Sequence, residues 1–211
     1  MSEGYQDYGY HSAGLGCSHD YLLPKVFEIL DARRSGQAQS RIFELGCGNG
    51  SVANELHQRG FDVQGIDYSE SGIQVAREHY PHLKLDVGSA YDDLAGKYGI
   101  FPLLLSLEVV EHLFFPRQFA NTAFDLLEGG GTAVISTPYH GYWKNLVLAL
   151  NGKMDAHFTA LWDGGHIKFW SVETMTSLLK EAGFEDIQFH RVGRIPALAK
   201  SMIVVARKPG R

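Results

Sequence analysis

Chemistry in this chain starts at residues 44–50. Glu44 stands two places before the first of three alternating glycines, Gly46, Gly48 and Gly50, with Cys47 and Asn49 between them. Glycine permits a tight turn and, lacking Cβ, lets a ligand lie against the main chain. Asp67 ends the next apolar run. An acid at the tip of a second strand can accept both hydroxyls of a ribose. A glycine bend with such an acid points to a nucleoside-bearing ligand, with Tyr68 or Ile66 against its base. The dinucleotide fingerprint is not met, because position 51 is serine and the third glycine falls one residue early. A nicotinamide oxidoreductase would also need a second half or a substrate domain that 211 residues do not supply.

A second set of residues could move a proton. Histidine is the side chain whose ordinary pKa lies nearest neutrality. His166 ranks first as a general base, His140 second and His112 third, since the pair Glu111-His112 could simply cap a helix. Asp155, His157, Asp163 and His166 lie close in sequence, but no spacing matches a zinc or calcium pattern, so no metal is expected. Tyr139, Trp143 and Trp162, with Tyr142, Phe158, Phe169 and Trp170, surround the apolar Leu146–Leu150. Such rings could wall a pocket for a planar or lipophilic acceptor, or pack a lid onto the domain.

These groups need a frame, and the chain supplies alternating strands and helices. A helix from Ser18 or His19 to about Arg34 should end at Ser35-Gly36. The first strand, at 42–45, runs through the glycine turn into a helix on Val52, Ala53 and Leu56. A second strand ends at Asp67, and Ser69 caps a helix that Pro81 terminates. Strands at 83–87 and 101–107 follow, the latter apolar enough to be covered on both faces. A helix over 116–127, stopped by Glu128-Gly-Gly-Gly131, leads to a fifth strand at 132–136. After an irregular insertion at 138–170 come a helix at 171–182 and strands at 184–190 and 198–207. The reading is one α/β domain, a doubly wound seven-stranded, mostly parallel sheet ending in an antiparallel hairpin. Residues 1–16 would form a tail or an aromatic flap over the ligand.

Apolar content of 45% and charged content of 20% are ordinary for a globular domain. A net charge of −5 leaves no basic footprint, so nucleic acid is not an expected partner. Two cysteines make no disulfide framework, and no signal peptide or membrane-spanning run is read, so a cytoplasmic location is expected.

The Glu-x-Gly-x-Gly-x-Gly motif with Asp67 resembles the cofactor loop of class I S-adenosylmethionine-dependent methyltransferases. Ser106-Leu-Glu-Val-Val-Glu-His112, Ser136-Thr-Pro-Tyr-His140 and His166-Ile-Lys-Phe-Trp-Ser171 are similar to the small-molecule branch containing the ubiquinone-biosynthesis O-methyltransferases. The resemblance implies S-adenosylmethionine as cofactor and S-adenosylhomocysteine as product. Loop N–H groups from Gly46 to Gly50 would face the cofactor carboxylate, with Glu44 orienting the loop. Asp67 would hold the ribose, Ser89 and Ala90 the adenine edge, and Leu107 and Glu108 the switch region beside strand four. The acceptor would be a small aromatic or lipophilic molecule methylated at a hydroxyl oxygen; methylation at nitrogen, carbon or a carboxyl group, or cofactor binding without transfer, are the alternatives. The 138–170 insertion could touch a membrane surface to collect such an acceptor. Pro102 and Ser89 depart from the family's pattern, each standing where many members carry Asp.

Overall fold

Leu103, Leu105 and Leu107 of one strand pack into one apolar cluster, while Phe101 and Leu104 face another on the opposite side. That alternation is what a strand covered on both faces requires. The computed structural model describes residues 9–34 and 40–210. In it β1 (Ser40–Leu45), β2 (Phe61–Asp67), β3 (Lys84–Val87), β4 (Phe101–Leu107), β5 (Leu127–Pro138), β6 (Glu185–Val192) and β7 (Ser201–Arg207) form one sheet in the order β3-β2-β1-β4-β5-β7-β6. β1 to β5 pair in parallel, and β7 runs antiparallel to both β5 and β6. The expected hairpin is present, but its reversed strand is the inner one and β6 is the edge.

α1 (His19–Ala32), α2 (Ser51–Gln58) and α3 (Glu70–His79) contribute Leu22, Val26, Leu56 and Ile73 to one cluster. α4 (Leu94–Tyr98), α5 (Pro116–Asp125) and α8 (Val172–Glu181) contribute Leu94, Phe119, Met175 and Leu179 to the other. The Ser69 side chain accepts the Gly72 N–H at the start of α3, as expected, and Ser171 and Thr174 form a reciprocal capping box on α8. α1 ends at Ala32 with Arg33 as its cap, slightly before the expected Arg34, and Ser35-Gly36 themselves lie outside the described residues.

Several boundaries differ from the sequence expectation. The Glu128-Gly-Gly-Gly131 stretch does not stop a helix but belongs to β5: Gly130 donates to Lys208 O, and Lys208 N donates to Gly131 O. Pro102 is the second residue of β4, at a shift in register between Phe101 and Leu103, where a missing N–H costs no ladder bond. The insertion read as irregular holds two helices, α6 (Tyr142–Leu150) and α7 (Met154–Phe158). α6 inverts the usual pattern, burying Lys144 and exposing Trp143, Val147 and Leu150. No helix of the described residues is long and apolar enough to cross a membrane.

Candidate active site

The carboxyl ends of β1, β2 and β4 meet at the glycine loop. Gly46, Gly48 and Gly50 all have positive φ (90°, 50° and 75°), a region costly for any side chain. Asp67 reaches back across the bend: its Oδ2 accepts the Gly48 N–H at 2.7 Å and its Oδ1 the Ser69 N–H at 2.8 Å. Each carboxylate oxygen can accept more than one bond, so these two hold the acid in place without by themselves exhausting it.

The bonding of the loop bears on two other expectations. Its N–H groups are mostly taken up inside the protein: Gly46 and Cys47 donate to Ile66 O and Gly48 to Asp67, both at the end of β2, and Gly50 donates to Cys47 O. Of residues 46–50, Asn49 alone keeps an N–H without a hydrogen-bond partner among the described residues. The space left by the missing side chains is also partly used by the protein, since a methyl group at Gly46 would collide with Val109 and one at Gly50 would press on Ala76 and Leu85. Glu44 is buried with Oε2 unpartnered, so that oxygen makes no bond to the loop it was expected to orient. Burial, with the Asp67 charge nearby, holds its carboxyl well above the usual range. Cys47 is buried, and burial, with Asp67 and Glu44, pushes its thiol up as well.

Around the expected adenine edge, Tyr68 is exposed and Ala90 packs against the core. Ser89 closes a turn, its N–H bonding Asp92 and its hydroxyl oxygen accepting the Tyr91 N–H. That oxygen is thereby engaged, although the O–H can still donate.

At the end of β4, Leu107 is buried and Glu108 takes φ 55°, a strained value for a residue with a side chain. Ser136 donates to Glu108 Oε1 at 2.7 Å and Ser201 to Oε2 at 3.2 Å. Burial pushes the Glu108 carboxyl up to about 7 against the opposing pull of these hydroxyls and Lys144. Lys144 itself is 8% exposed and donates to Lys200 O at 3.2 Å. Burial, with Arg194 nearby, pulls its ammonium down to about 8.

The next turn gathers the proton-transfer candidates. A short 3-10 segment at Val110–His112 is stitched to the stretch before α8: Ile167 and Lys168 donate to Glu111 O, and His112 Nδ1 pairs with Gly164 O. His112 therefore joins two loops rather than capping α5. Glu111 is 0% exposed and, among the described residues, neither carboxyl oxygen makes a well-formed hydrogen bond, the nearby Thr137 hydroxyl included; burial, with the Glu108 charge, holds its carboxyl well above the usual range. His166 Nε2 lies 4.0 Å from Glu111 Oε1, and the His112 and His166 rings are 4.8 Å apart. Burial and the neighbouring His112 press His166 down to about 4, so it is neutral near pH 7. Burial and Lys144 do the same to His140, also to about 4. His140 Nδ1 is buried without a hydrogen-bond partner, and its ring packs among His157, Phe158 and Phe169.

No metal was expected, and the cluster weighed was Asp155, His157, Asp163 and His166. The structure brings together a different set: ligand atoms of Glu111, His112 and His166 lie within 4.8 Å of one another. A buried carboxyl without a well-formed hydrogen bond, beside two neutral imidazoles, would suit a divalent ion that drew off its proton. The signal was present in the sequence as Glu111-His112, but burial of Glu111 could not be read there.

The aromatic candidates separate. Trp162 meets both His112 and His166 edge-on or tilted. Tyr139 is buried against Gly141, with the Arg191 guanidinium 5.1 Å above its ring. Trp143 is 61% exposed and directed outward, so it walls no pocket in this conformation.

The profile of the methyltransferase-domain family matches residues 20–188. The chain belongs to that family. It is 32% identical over 181 residues to a ubiquinone biosynthesis O-methyltransferase of Roseobacter denitrificans, covering 81% of this chain and 71% of the relative. To the enzyme of the same name from Caulobacter sp. strain K31 it is 33% identical over 126 residues, 58% of this chain and about half (48%) of that protein. Its fold superposes on phosphoethanolamine N-methyltransferase 2 of Haemonchus contortus, solved in complex with S-adenosylmethionine, with a TM-score of 0.61 at 14% identity, covering 88% of this chain and 52% of that one. The S-adenosylmethionine-dependent methyltransferase assignment expected from the glycine loop and Asp67 thus agrees with family and fold.

Proposed function

We propose that this methyltransferase domain transfers a methyl group from S-adenosylmethionine to a hydroxyl oxygen of a small aromatic acceptor. The observation that carries the reading is the Asp67–Gly48 bond, which sets a ribose-binding acid against the glycine bend. The relatives' names support an oxygen acceptor. The sulfonium is already an activated donor, so the protein's task is to align oxygen, methyl and sulfur, worth roughly 7–11 kcal/mol in favourable cases. As the C–O bond forms, the hydroxyl must lose its proton. His166 is the base we assign, because it is neutral near pH 7 and its Nε2 lies 4.0 Å from Glu111 Oε1, which would stabilise the imidazolium once the Glu111 carboxyl, held well above the usual range by burial and Glu108, gives up its own proton. His140 is the second choice, held by its ring contacts rather than by an acid.

A second reading is favoured by the two Glu111 oxygens without a well-formed hydrogen bond: Glu111, His112 and His166 would hold a divalent ion. When bound, such an ion would lower the pKa of an acceptor hydroxyl, and His166 would then act as a ligand rather than a base. The test is turnover of catechol with S-adenosylmethionine, followed by mass spectrometry, with and without chelator and added Mg²⁺ or Mn²⁺. Loss of about 10²–10⁴-fold in rate for His166→Ala without a metal requirement supports the base. Activity abolished by chelator and restored by the ion supports the second reading. Binding of S-adenosylhomocysteine without turnover of catechol or any other phenol tried would refute the assignment to a phenol oxygen.

A further inference from the structure

We infer that Lys144 is an acceptor-binding residue, its ammonium receiving the reacting oxygen of the acceptor as an oxyanion. The inference rests on the phenol-oxygen reading above and deepens it. Lys144 lies in the first turn of α6, where the usual sidedness is reversed. It is 8% exposed, whereas Tyr142 and Trp143 beside it are 73% and 61% exposed. Lysine is almost never fully buried without a partner, so packing alone favours the opposite face of this helix. The charge of Glu108, just past the end of β4, reaches Lys144, and the charge of Lys144 reaches His140, just past the end of β5. Lys144 therefore stands at the carboxyl edge of the sheet, the edge that also carries the glycine loop.

An ammonium carries three donors and no acceptor. One N–H of Lys144 goes to Lys200 O at 3.2 Å. Among the described residues no other acceptor bonds to Lys144, and no carboxylate forms an ion pair with it. The two oxygens of Glu108 are already taken by the hydroxyls of Ser136 and Ser201. Close by, His140 Nδ1 and Asn145 Oδ1 are also buried without a well-formed hydrogen bond. Leaving such groups unmatched away from water is costly. The surroundings are also short of negative charge. Burial pushes the Glu108 and Glu111 carboxyls up, and Arg194 adds its charge to that of Lys144. An oxyanion meets both needs, and a phenol that has given its proton to the base carries one. The bond from ammonium to oxyanion is charge-assisted and stronger than a neutral one. In the transfer the oxyanion forms the C–O bond while the S–C electron pair returns to sulfur, so both charges are discharged. Lys144 then loses its partner, which favours release of the methylated product.

The experiment uses nitrocatechol, whose visible absorbance distinguishes its ionised from its protonated form. It is titrated into the S-adenosylhomocysteine complexes of wild type, Lys144→Arg and Lys144→Met, with and without chelator, at a pH where the free phenol is mostly protonated. The expected result is ionised ligand on wild type and on Lys144→Arg. On Lys144→Met the bound ligand should be protonated and its affinity about tenfold to 100-fold weaker. Calorimetry should give the three proteins equal affinity for S-adenosylhomocysteine, since Lys144 does not hold the nucleoside. Protonated nitrocatechol on wild type overturns the inference whatever the variants do. Ionised ligand on Lys144→Met at wild-type affinity overturns it too. So does ionisation on wild type that chelator abolishes, because an ion rather than the lysine would then hold the oxygen. A wild type that binds S-adenosylhomocysteine but no nitrocatechol defeats the phenol reading, and this inference with it. Failure in the comparison with Lys144→Met alone leaves the phenol reading intact.

Discussion

Asp67 Oδ2 accepts the Gly48 N–H at 2.7 Å, so the acid at the tip of β2 and the middle glycine of the loop form one unit. Asp67→Ala removes both the proposed ribose acceptor and a brace of the bend. Charge-assisted bonds of this kind are worth about 1.5–3 kcal/mol each, so affinity for S-adenosylhomocysteine should fall about 10- to 100-fold. Exchange of the Gly48 amide should quicken in the same variant even without ligand. Affinity unchanged by calorimetry would remove Asp67 from the site.

Gly46 and Val109 make a second link, between the glycine loop and the exit of β4. An alanine at 46 would have to adopt φ near 90° and would collide with Val109. Gly46→Ala should therefore destabilise the protein by about 1–3 kcal/mol, seen as a lower urea midpoint. Adding Val109→Ala should recover part of that loss by opening space, and the backbone cost should remain. If the double variant is no better than the sum of the two single ones, the two sites do not touch in solution.

The buried Glu44 carboxyl gives a pH signature. Its folded-state pKa is raised, first by burial and then by Asp67, so its favourable contribution is complete below the ordinary value of 4.5 and is lost as pH rises through the folded value. Glu44→Gln keeps the shape and cannot ionise. Its stability relative to wild type should improve between pH 5 and pH 8, by at most about 1.4 kcal/mol per pH unit. Urea unfolding of both proteins at the two pH values measures this. A parallel pH dependence in the two would mean that the side chain ionises freely in the fold.

Most of the frame was legible because it is local. Strand β4 is a run of leucines, Ser69 precedes an amphipathic helix, and Phe119 and Ala123 fall on the face of α5 that is buried. The end of the sheet was harder, because the hairpin of β6 and β7 says nothing about which member sits beside β5. In the site, the glycine spacing and Asp67 were readable. The fate of each N–H was not, since Ile66 O and Asp67 reach the loop from a different strand. The insertion misled for a related reason. Its aromatic residues look like pocket walls, yet the most buried member of the first turn of α6 is Lys144, drawn inward by Lys200 O on a segment 56 residues away.

The interior place of β7 has a consequence for assembly. β6 comes first in sequence but can join the sheet only through β7, which pairs with β5 on one side and with β6 on the other. A nascent chain that has reached Val192 therefore holds a strand with nowhere to zip. Whether the two strands zip first or β7 docks first, β6 is tied to the sheet only once Ser201–Arg207 is in place.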